Sequence, residues 1–352
     1  MGLLSFNNVG IAGMAAAVPG KVINNLEYDL YFKKDDIREI VEKIGVKQRR
    51  IADENTCSSD LCYAAAEKLI SDMEINKKEI DLLIFISQTP DYRMPATSAL
   101  LQHRLGLETS TIVFDINLGC SAFLYGLTVA YSMISAGNIR RALILDGETR
   151  SKVYSQKDRK TGFLFGDAGV AALIEKGHRF EKSWFSLNSD GSRESLIKIP
   201  AGGYRKMSTY ETLKEKVVDE FGNIRSEEHG YMNGADVFNF VIREVPKDFH
   251  RLLEYSGADL SFIDYFVFHQ ANSFINEFVA RKLQLSKKKV PSTIEKYGNT
   301  SSVSIPLTIV SELRDKLSTT TKILLSGFGV GLSWGTALII LDDCHLSEIV
   351  EV

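Results

Sequence analysis

The two halves of the chain repeat one pattern, and this repeat limits the possible folds more than any other feature of the sequence. Four segments of the first half find a counterpart in the second half, in the same order and at spacings between 166 and 183 residues. We therefore predict two related halves, an N-terminal one over residues 1–178 and a C-terminal one over residues 179–352. The paired segments are 80–86 with 263–269, 119–121 with 298–300, 142–145 with 322–325, and 169–174 with 335–340.

Apolar strands and helices alternate within each half, which predicts an α/β architecture. The strands are continuously apolar, as expected for a sheet that is covered on both faces. The helical pattern falls at 61–72, 97–105, 122–136 and 274–285. Residues 187–233 do not follow the repeat, because they combine glycine clusters with a charged stretch. We expect an insertion that caps one face, with a disordered or merely decorative segment as the alternatives.

Composition narrows the class of protein. Hydrophobic residues make up 44% of the 352-residue chain and charged residues 25%, which is ordinary for a globular protein. A formal net charge of -3 gives no argument for nucleic-acid binding, and no apolar run is long enough for membrane insertion. The cysteines and the six histidines are too dispersed for a disulfide framework or a metal site, so we expect a cytoplasmic protein without a metal. The four cysteines are Cys57, Cys62, Cys120 and Cys344.

Cys120 stands at a corner where an apolar stretch meets a helical segment. Such a corner places the thiol at the start of a helix, where free N–H groups and the helix dipole favour a thiolate. A thiolate is the form that attacks thioesters and other acyl carbonyls. Taken alone, the pattern favours a buried structural cysteine over a nucleophile. The repeat changes that balance, because it places Asn299 at the equivalent corner of the second half.

His269 ends the second-half strand and supplies a third polar group. Ligands of such sheets bind beyond the carboxyl ends of the strands, so His269, Asn299 and Cys120 could converge on one pocket. Two hydrogen-bond donors aimed at one oxygen would stabilise an enolate or oxyanion. The alternatives are a satisfied core histidine and an asparagine that only caps a helix. A glycine cluster at 327–335 is either a simple hairpin or a loop whose N–H groups approach a ligand.

Five short strings of the sequence resemble those of a known family. The strings GCSAFLYGL, FGDAGVAAL, HQAN, YGNTSSVSIP and GFGVGLSWG are similar to those of β-ketoacyl-acyl carrier protein synthase III, within the thiolase-like condensing enzymes. The resemblance implies a duplicated thiolase-like five-layer α/β/α/β/α fold. It also implies an enzyme that needs no metal or redox cofactor, acts on coenzyme A or phosphopantetheine thioesters, binds acyl carrier protein and forms a homodimer.

The same resemblance implies roles for individual residues. Cys120 would carry the acyl group, while His269 and Asn299 would stabilise the enolate formed from the malonyl thioester. The N–H groups of Cys120 and Val330 would form the oxyanion hole, with Phe328 beside the thiol. The implied pocket and substrate-binding residues also include Gly329, Asn272, Arg159, Lys43, Arg243 and Met94.

Several positions depart from the family pattern. Glu39 stands where a tryptophan stacks on the adenine of coenzyme A, and Lys43 where an arginine meets its phosphate. Phe274 replaces an arginine near the tunnel mouth, and the carrier-docking lysine falls on Asn239, with Arg243 one turn further on. Met94 falls where the family places a residue that crosses the dimer interface to floor the partner's acyl pocket. These changes favour an acyl carrier protein as the donor.

The leading hypothesis is a decarboxylative Claisen condensation. An acyl primer on Cys120 would be extended by malonyl-acyl carrier protein to a 3-oxoacyl product, in a specialised rather than a bulk fatty-acid pathway. Simple acyl transfer to a hydroxyl or amine is the first alternative, although it would need no enolate site. A non-catalytic scaffold that binds carrier proteins is the second, although it would not need all three chemical residues.

Overall fold

The computed structural model describes residues 2–352. The strands are β1 (Gly2–Phe6), β2 (Val9–Val18), β3 (Val22–Asn24), β4 (Gln48–Arg50), β5 (Leu82–Ile86), β6 (Ile112–Ile116), β7 (Arg141–Thr149), β8 (Asp167–Lys176), β9 (Ser183–Ser189), β10 (Ile197–Lys198), β11 (Lys216–Val217), β12 (Ile224–Arg225), β13 (Tyr231–Met232), β14 (Tyr265–Phe268), β15 (Thr320–Gly329), β16 (Ser333–Asp342), β17 (His345–Leu346) and β18 (Val350–Glu351). The α-helices are α1 (Lys34–Ile44), α2 (Ser58–Asp72), α3 (Thr97–Arg104), α4 (Ala122–Ala136), α5 (Tyr210–Leu213), α6 (Gly234–Ser256), α7 (Ser273–Lys282), α8 (Ile294–Tyr297) and α9 (Ser304–Leu313).

The two large sheets show that the sequence repeat is a structural repeat. In the first sheet the strands β2, β8, β7 and β5 are neighbours in that order, and in the second sheet β9, β16, β15 and β14 follow the same order. In both sheets the last pair is parallel and the two preceding pairs are antiparallel. The duplicated α/β architecture predicted from the sequence is confirmed.

Helices α4 and α9 form the layer between the sheets. Both contact strands of the two sheets, and α4 is apolar around most of its surface because sheets cover it on two sides. Helices α2 and α3 cover the outer face of the first sheet, and α6 covers that of the second together with α7. The result is the five-layer α/β/α/β/α arrangement of the thiolase-like fold.

The chain termini cross between the halves. Strand β1 pairs with β9 in the second sheet, whereas β17 and β18 pair with β2 in the first sheet. Each terminus therefore completes the sheet of the opposite half, which a contiguous repeat in the sequence does not reveal. The division of the chain at residue 178 stays a prediction.

Residues 190–233, which make up most of the expected insertion, form short elements, and the bounds of the insertion need one correction. Residues 187–189 belong to β9 and pair with β16, because Leu187, Asn188 and Ser189 continue the ladder opposite residues 333–335. From residue 190 the chain forms a 3₁₀ helix (Gly191–Leu196), short strands and one turn of α-helix. Strand β10 pairs with β13 so that Ile197 lies opposite Met232. The predicted helix at 274–285 is also shifted: α7 begins at Ser273, where the Asn272 side chain caps it.

Candidate active site

A cavity of about 300 Å³ lies at the carboxyl ends of the central strands. The structure brings seven of the residues predicted from the sequence to its wall. The inserted segment closes another side through Ile197, Ile199 and Met232. The seven predicted residues are Cys120, His269, Asn272, Asn299, Phe328, Gly329 and Val330.

Cys120 lies two residues before α4, as its sequence corner predicted. The amide of Ala122 donates to the carbonyl of Gly119 over 2.7 Å, which closes the first turn. The hairpin strand β15 passes directly over the thiol. A Cβ atom at Gly329 would stand 2.7 Å from the sulfur of Cys120, so only glycine allows this approach. The glycine cluster is therefore both a hairpin between β15 and β16 and a wall of the cavity.

His269 follows β14 and is almost completely buried, with 2% of its surface exposed. Its Nδ1 lies 3.0 Å from the carbonyl oxygen of Ser301 and 2.8 Å from the hydroxyl of Ser304. Because a carbonyl oxygen only accepts, this arrangement places a hydrogen on Nδ1. The other ring nitrogen, Nε2, is thereby left for the cavity, and it donates a hydrogen bond when the ring is protonated. The ring also packs edge-on against Phe328.

The side chain of Asn299 is held by the backbone around it. Its Nδ2 donates to the carbonyl of Ala271 over 3.2 Å, and its Oδ1 accepts from the amide of Ser301 over 2.9 Å. The second hydrogen of Nδ2 is left to face the cavity. Gly298 before it has a φ of 67°, and a Cβ there would stand 2.6 Å from the carbonyl of Leu164. Glycine is therefore required for the chain to place Asn299 at this corner.

The surroundings of Cys120 favour its thiolate. Burial by itself raises the pKa of the thiol, but His269, Arg150 and Ser301 more than offset this and lower the pKa to about 7. The Ser301 hydroxyl lies 3.9 Å from the sulfur. A thiol with this pKa is partly ionised near neutral pH, as a nucleophile requires.

The other predicted substrate-binding residues do not line this cavity. Lys43 and Arg243 are exposed on α1 and α6, and Met94 is 77% exposed. Arg159 lies 3.6 Å from the carboxylate of Asp36, and its guanidinium is 5.6 Å and 6.0 Å from the ring centroids of Phe32 and Phe221. None of these four residues is therefore placed to contact an acyl group inside the cavity.

Sequence reasoning missed three polar residues next to the thiol, namely Gln88, Arg150 and Ser301. The repeat itself contained a signal for Arg150. Because 142–145 matches 322–325, Arg150 is the counterpart of Val330, which was singled out. Gln88 likewise follows the strand that matches the one before His269. Gln88 and Arg150 are recognised as candidate site residues only because the structure places both at the cavity.

The fold and this site define the class of protein: an enzyme of the thiolase-like fold with a cysteine, a histidine and an asparagine at one cavity. Residues 114–191 match the family described as 3-Oxoacyl-[acyl-carrier-protein (ACP)] synthase III, and residues 253–341 match its C-terminal part. The chain belongs to the β-ketoacyl-[acyl-carrier-protein] synthase III family and is an enzyme of this type.

Individual relatives agree with this family over almost the whole chain. The β-ketoacyl-[acyl-carrier-protein] synthase III of Clostridioides difficile is 34% identical over 94% of this chain and 97% of its own length. That of Aliarcobacter butzleri is 35% identical over 95% of this chain and 96% of its own length. The crystal structure of a 3-oxoacyl-(acyl-carrier protein) synthase from Burkholderia xenovorans superposes with a TM-score of 0.93, at 38% identity and 99% coverage of both chains.

Two further observations concern residues 2–352. Within this range no helix is both long enough and apolar enough to span a membrane. The same residues contain no group of three or more histidine, cysteine, aspartate or glutamate side chains arranged to hold a metal ion.

Proposed function

We propose that this enzyme condenses an acyl primer with malonyl-acyl carrier protein and releases carbon dioxide and a 3-oxoacyl product. One observation carries the proposal: a thiol with a lowered pKa, an imidazole nitrogen and an amide N–H share one cavity. A nucleophile alone would serve simple acyl transfer. Two additional donors beside it suit a second half-reaction, in which a negative charge develops on a thioester oxygen.

In the first half-reaction the thiolate of Cys120 attacks the carbonyl carbon of the primer thioester. The tetrahedral oxyanion accepts hydrogen bonds from the backbone N–H groups of Cys120 and Val330. The bond to the carrier sulfur then breaks, and the departing thiolate takes a proton from water. Cys120 is left as an acyl thioester, and the proton from its own thiol stays on Nε2 of His269.

In the second half-reaction the carbonyl oxygen of the malonyl thioester accepts hydrogen bonds from His269 Nε2 and Asn299 Nδ2. Loss of carbon dioxide leaves the bonding electrons on the α-carbon as an enolate, which these two donors stabilise. The α-carbon attacks the acyl carbonyl on Cys120, a carbon–carbon bond forms, and the thiolate leaves. No metal or redox cofactor is required, because no electron is exchanged and carbon dioxide release drives the reaction.

We further propose that the primer arrives on an acyl carrier protein and that the enzyme serves a specialised pathway. Glu39 and Lys43 are exposed on α1, and Phe274 is half exposed at the start of α7. An acidic side chain at position 39 offers no aromatic platform for an adenine ring. Coenzyme A thioesters should therefore bind more weakly than the carrier-protein form.

A second copy of the chain is the other proposed partner. Strand β6 is the edge of the first sheet, its residues are only partly buried, and Ile112 is 46% exposed. An edge strand with free backbone groups can pair with the same strand of a second copy. Met94 is exposed and available to such a partner. We place this homodimer in the cytoplasm, since all four cysteines are unpaired.

The test is to supply malonyl-acyl carrier protein together with primers on either coenzyme A or acyl carrier protein. We expect an acyl adduct on Cys120 in the intact mass, release of carbon dioxide, and a 3-oxoacyl product. Acyl transfer to a hydroxyl or amine without carbon dioxide release would contradict the condensation. The absence of any adduct with either carrier would contradict the loading step.

A further inference from the structure

Arg150 is a charged residue at the inner wall of an otherwise largely apolar cavity. It follows β7 directly, and only 7% of its side chain is accessible. Because Arg150 lines the cavity, this accessible part faces the space next to Cys120. Arginine is almost never this buried without partners, so its contacts reveal what the wall can bind.

Among residues 2–352, the polar contacts of the guanidinium all involve one nitrogen. Its Nη2 donates to Gln88 Oε1 over 2.5 Å and to Ser301 Oγ over 3.1 Å, and lies 3.2 Å from the carboxylate of Glu148. Among residues 2–352 no acceptor meets Nη1 or Nε, and of these two atoms only Nε is closed off from the cavity. A guanidinium has five donor hydrogens, so this one keeps donors that the protein does not use.

The charge of Arg150 is already compensated. Glu148 is completely buried, and it accepts from Thr89 Oγ1 over 2.9 Å and from the amide of Gln88 over 3.2 Å. These contacts fix the carboxylate beside Arg150 as an ion pair. A second carboxylate, carried by the primer beside Arg150, would lie close to that of Glu148 and be repelled by it. A neutral oxygen would accept a hydrogen bond from Arg150 without this repulsion.

Arg150 is also near enough to contact a short acyl group on the thiol. The Cys120 sulfur is 3.9 Å from Ser301 Oγ, which is 3.1 Å from Nη2. The sulfur and Nη2 are therefore at most about 7 Å apart. A hydrogen bond takes about 2.9 Å of this distance. This upper limit, extended to Nη1 on the same guanidinium carbon, admits an oxygen on any of the first few carbons of an acyl group bound to the sulfur.

We propose that the primer carried by Cys120 bears a neutral oxygen, as a hydroxyl or oxo group within its first few carbons, which accepts a hydrogen bond from Nη1 of Arg150. The inference rests on the proposed function, since it names the primer class of that site. An unsubstituted alkyl chain would cover the free donors of Arg150 and leave them without water or an acceptor. A site built around a polar group discriminates against the analogue that lacks it.

The primary test needs no variant. The wild-type enzyme is offered equal amounts of 3-hydroxybutyryl and butyryl thioesters, on acyl carrier protein and separately on coenzyme A, and the adducts are resolved by intact mass. We expect the hydroxyacyl adduct to form faster by about tenfold or more. Equal rates, or a preference for butyryl, would overturn the inference and leave the proposed function intact. The failure of both primers on both carriers would instead overturn the proposed function, and the inference with it.

A pair of variants tests whether Arg150 is the group responsible. The double variant Glu148→Gln with Arg150→Leu removes the donors without leaving a buried carboxylate unpaired, and Arg150→Lys keeps a cationic donor. We expect the preference to disappear in the first variant and to persist in the second. Alkylation of Cys120 by iodoacetamide reports an intact site in each. A double variant that keeps the wild-type preference would show that Arg150 does not recognise the oxygen.

Discussion

The two halves place different chemistry at equivalent corners of one fold. Before the central helices, Cys120 in the first half corresponds to Asn299 in the second. After strands β7 and β15, Arg150 corresponds to Val330. The first half thus contributes a thiol and a cation to the cavity, while the second contributes an amide and a backbone N–H group. We infer that the first half carries the acyl group and that the second half stabilises the charge that attacks it.

Removal of the thiol is the sharpest way to break this comparison. Cys120→Ala should lower the rate of condensation by roughly 10⁴-fold or more, because no other group can form the acyl intermediate. Intact mass spectrometry should show no acyl adduct on the variant. Cys57→Ala is the matched control, since its half-buried thiol lies at the start of α2 and outside the cavity. An adduct that persists in Cys120→Ala would place the nucleophile elsewhere.

The equivalent corner of the second half should respond differently. Asn299→Ala should lower carbon dioxide release from malonyl-acyl carrier protein by roughly 10²- to 10³-fold, because one of two enolate donors is lost. Loading of the primer on Cys120 should persist, since it uses other groups. Measuring both reactions on one sample separates a lost donor from a misfolded protein. A variant that loses both reactions equally would contradict the division of work between the halves.

The pH dependence of Cys120 alkylation tests whether His269, from the second half, lowers the pKa of the thiol in the first half. With a pKa of about 7, the Cys120 thiolate forms as the pH rises through neutrality, so its alkylation rate should increase with a midpoint near pH 7. An ordinary thiol reaches its midpoint at about 8.5. His269→Ala removes a group that lowers the pKa, and the midpoint should move to higher pH. Peptide mapping of the alkylated product assigns the rate to Cys120, and an unchanged midpoint would contradict the contact.

The smallest expected effect concerns the close packing of the halves at the glycine hairpin. Gly329→Ala would place a Cβ 2.7 Å from the Cys120 sulfur, with a cost of about 1–3 kcal/mol in the free energy of unfolding and slower alkylation of the thiol. Gly191→Ala is the control, because nothing lies within 4 Å of its added Cβ. Denaturant unfolding and alkylation rates measure the two effects. Equal behaviour of both variants would mean that β15 is not in contact with the thiol.

The sequence predicted most of the fold because its signals are local. The helix at 122–136 was predicted with the bounds that α4 has, since an apolar segment bounded by small residues defines both ends. The strand expected at 80–86 begins two residues later, at Leu82, because a short 3₁₀ turn precedes it. The exchange of β1 and β17 between the sheets was not predicted, because pairing partners so far apart leave no trace in local periodicity.

The residues of the candidate site also fall into two groups, those with a local sequence signal and those without one. Cys120, His269 and Asn299 were found from strand-end positions, because the repeat made their equivalence visible in the sequence. Gln88 and Arg150 were missed, since nothing in their local pattern distinguishes a solvated polar residue from one that lines a cavity. Only the packing of β7 beside the thiol shows that Arg150 is buried there.

The sequence by itself determined the duplicated fold, the family and the three side chains of the proposed chemistry, Cys120, His269 and Asn299. It could do so because repeats and strand-end motifs consist of residues that are close together in the chain. The tertiary structure decided how these groups are held: His269 by Ser301 and Ser304, Asn299 by Ala271, and the thiol beneath Gly329. It also revealed that the guanidinium of Arg150, at the cavity wall, is only partly paired. Burial and hydrogen-bond satisfaction depend on residues distant along the chain, so they exist only once the chain is folded.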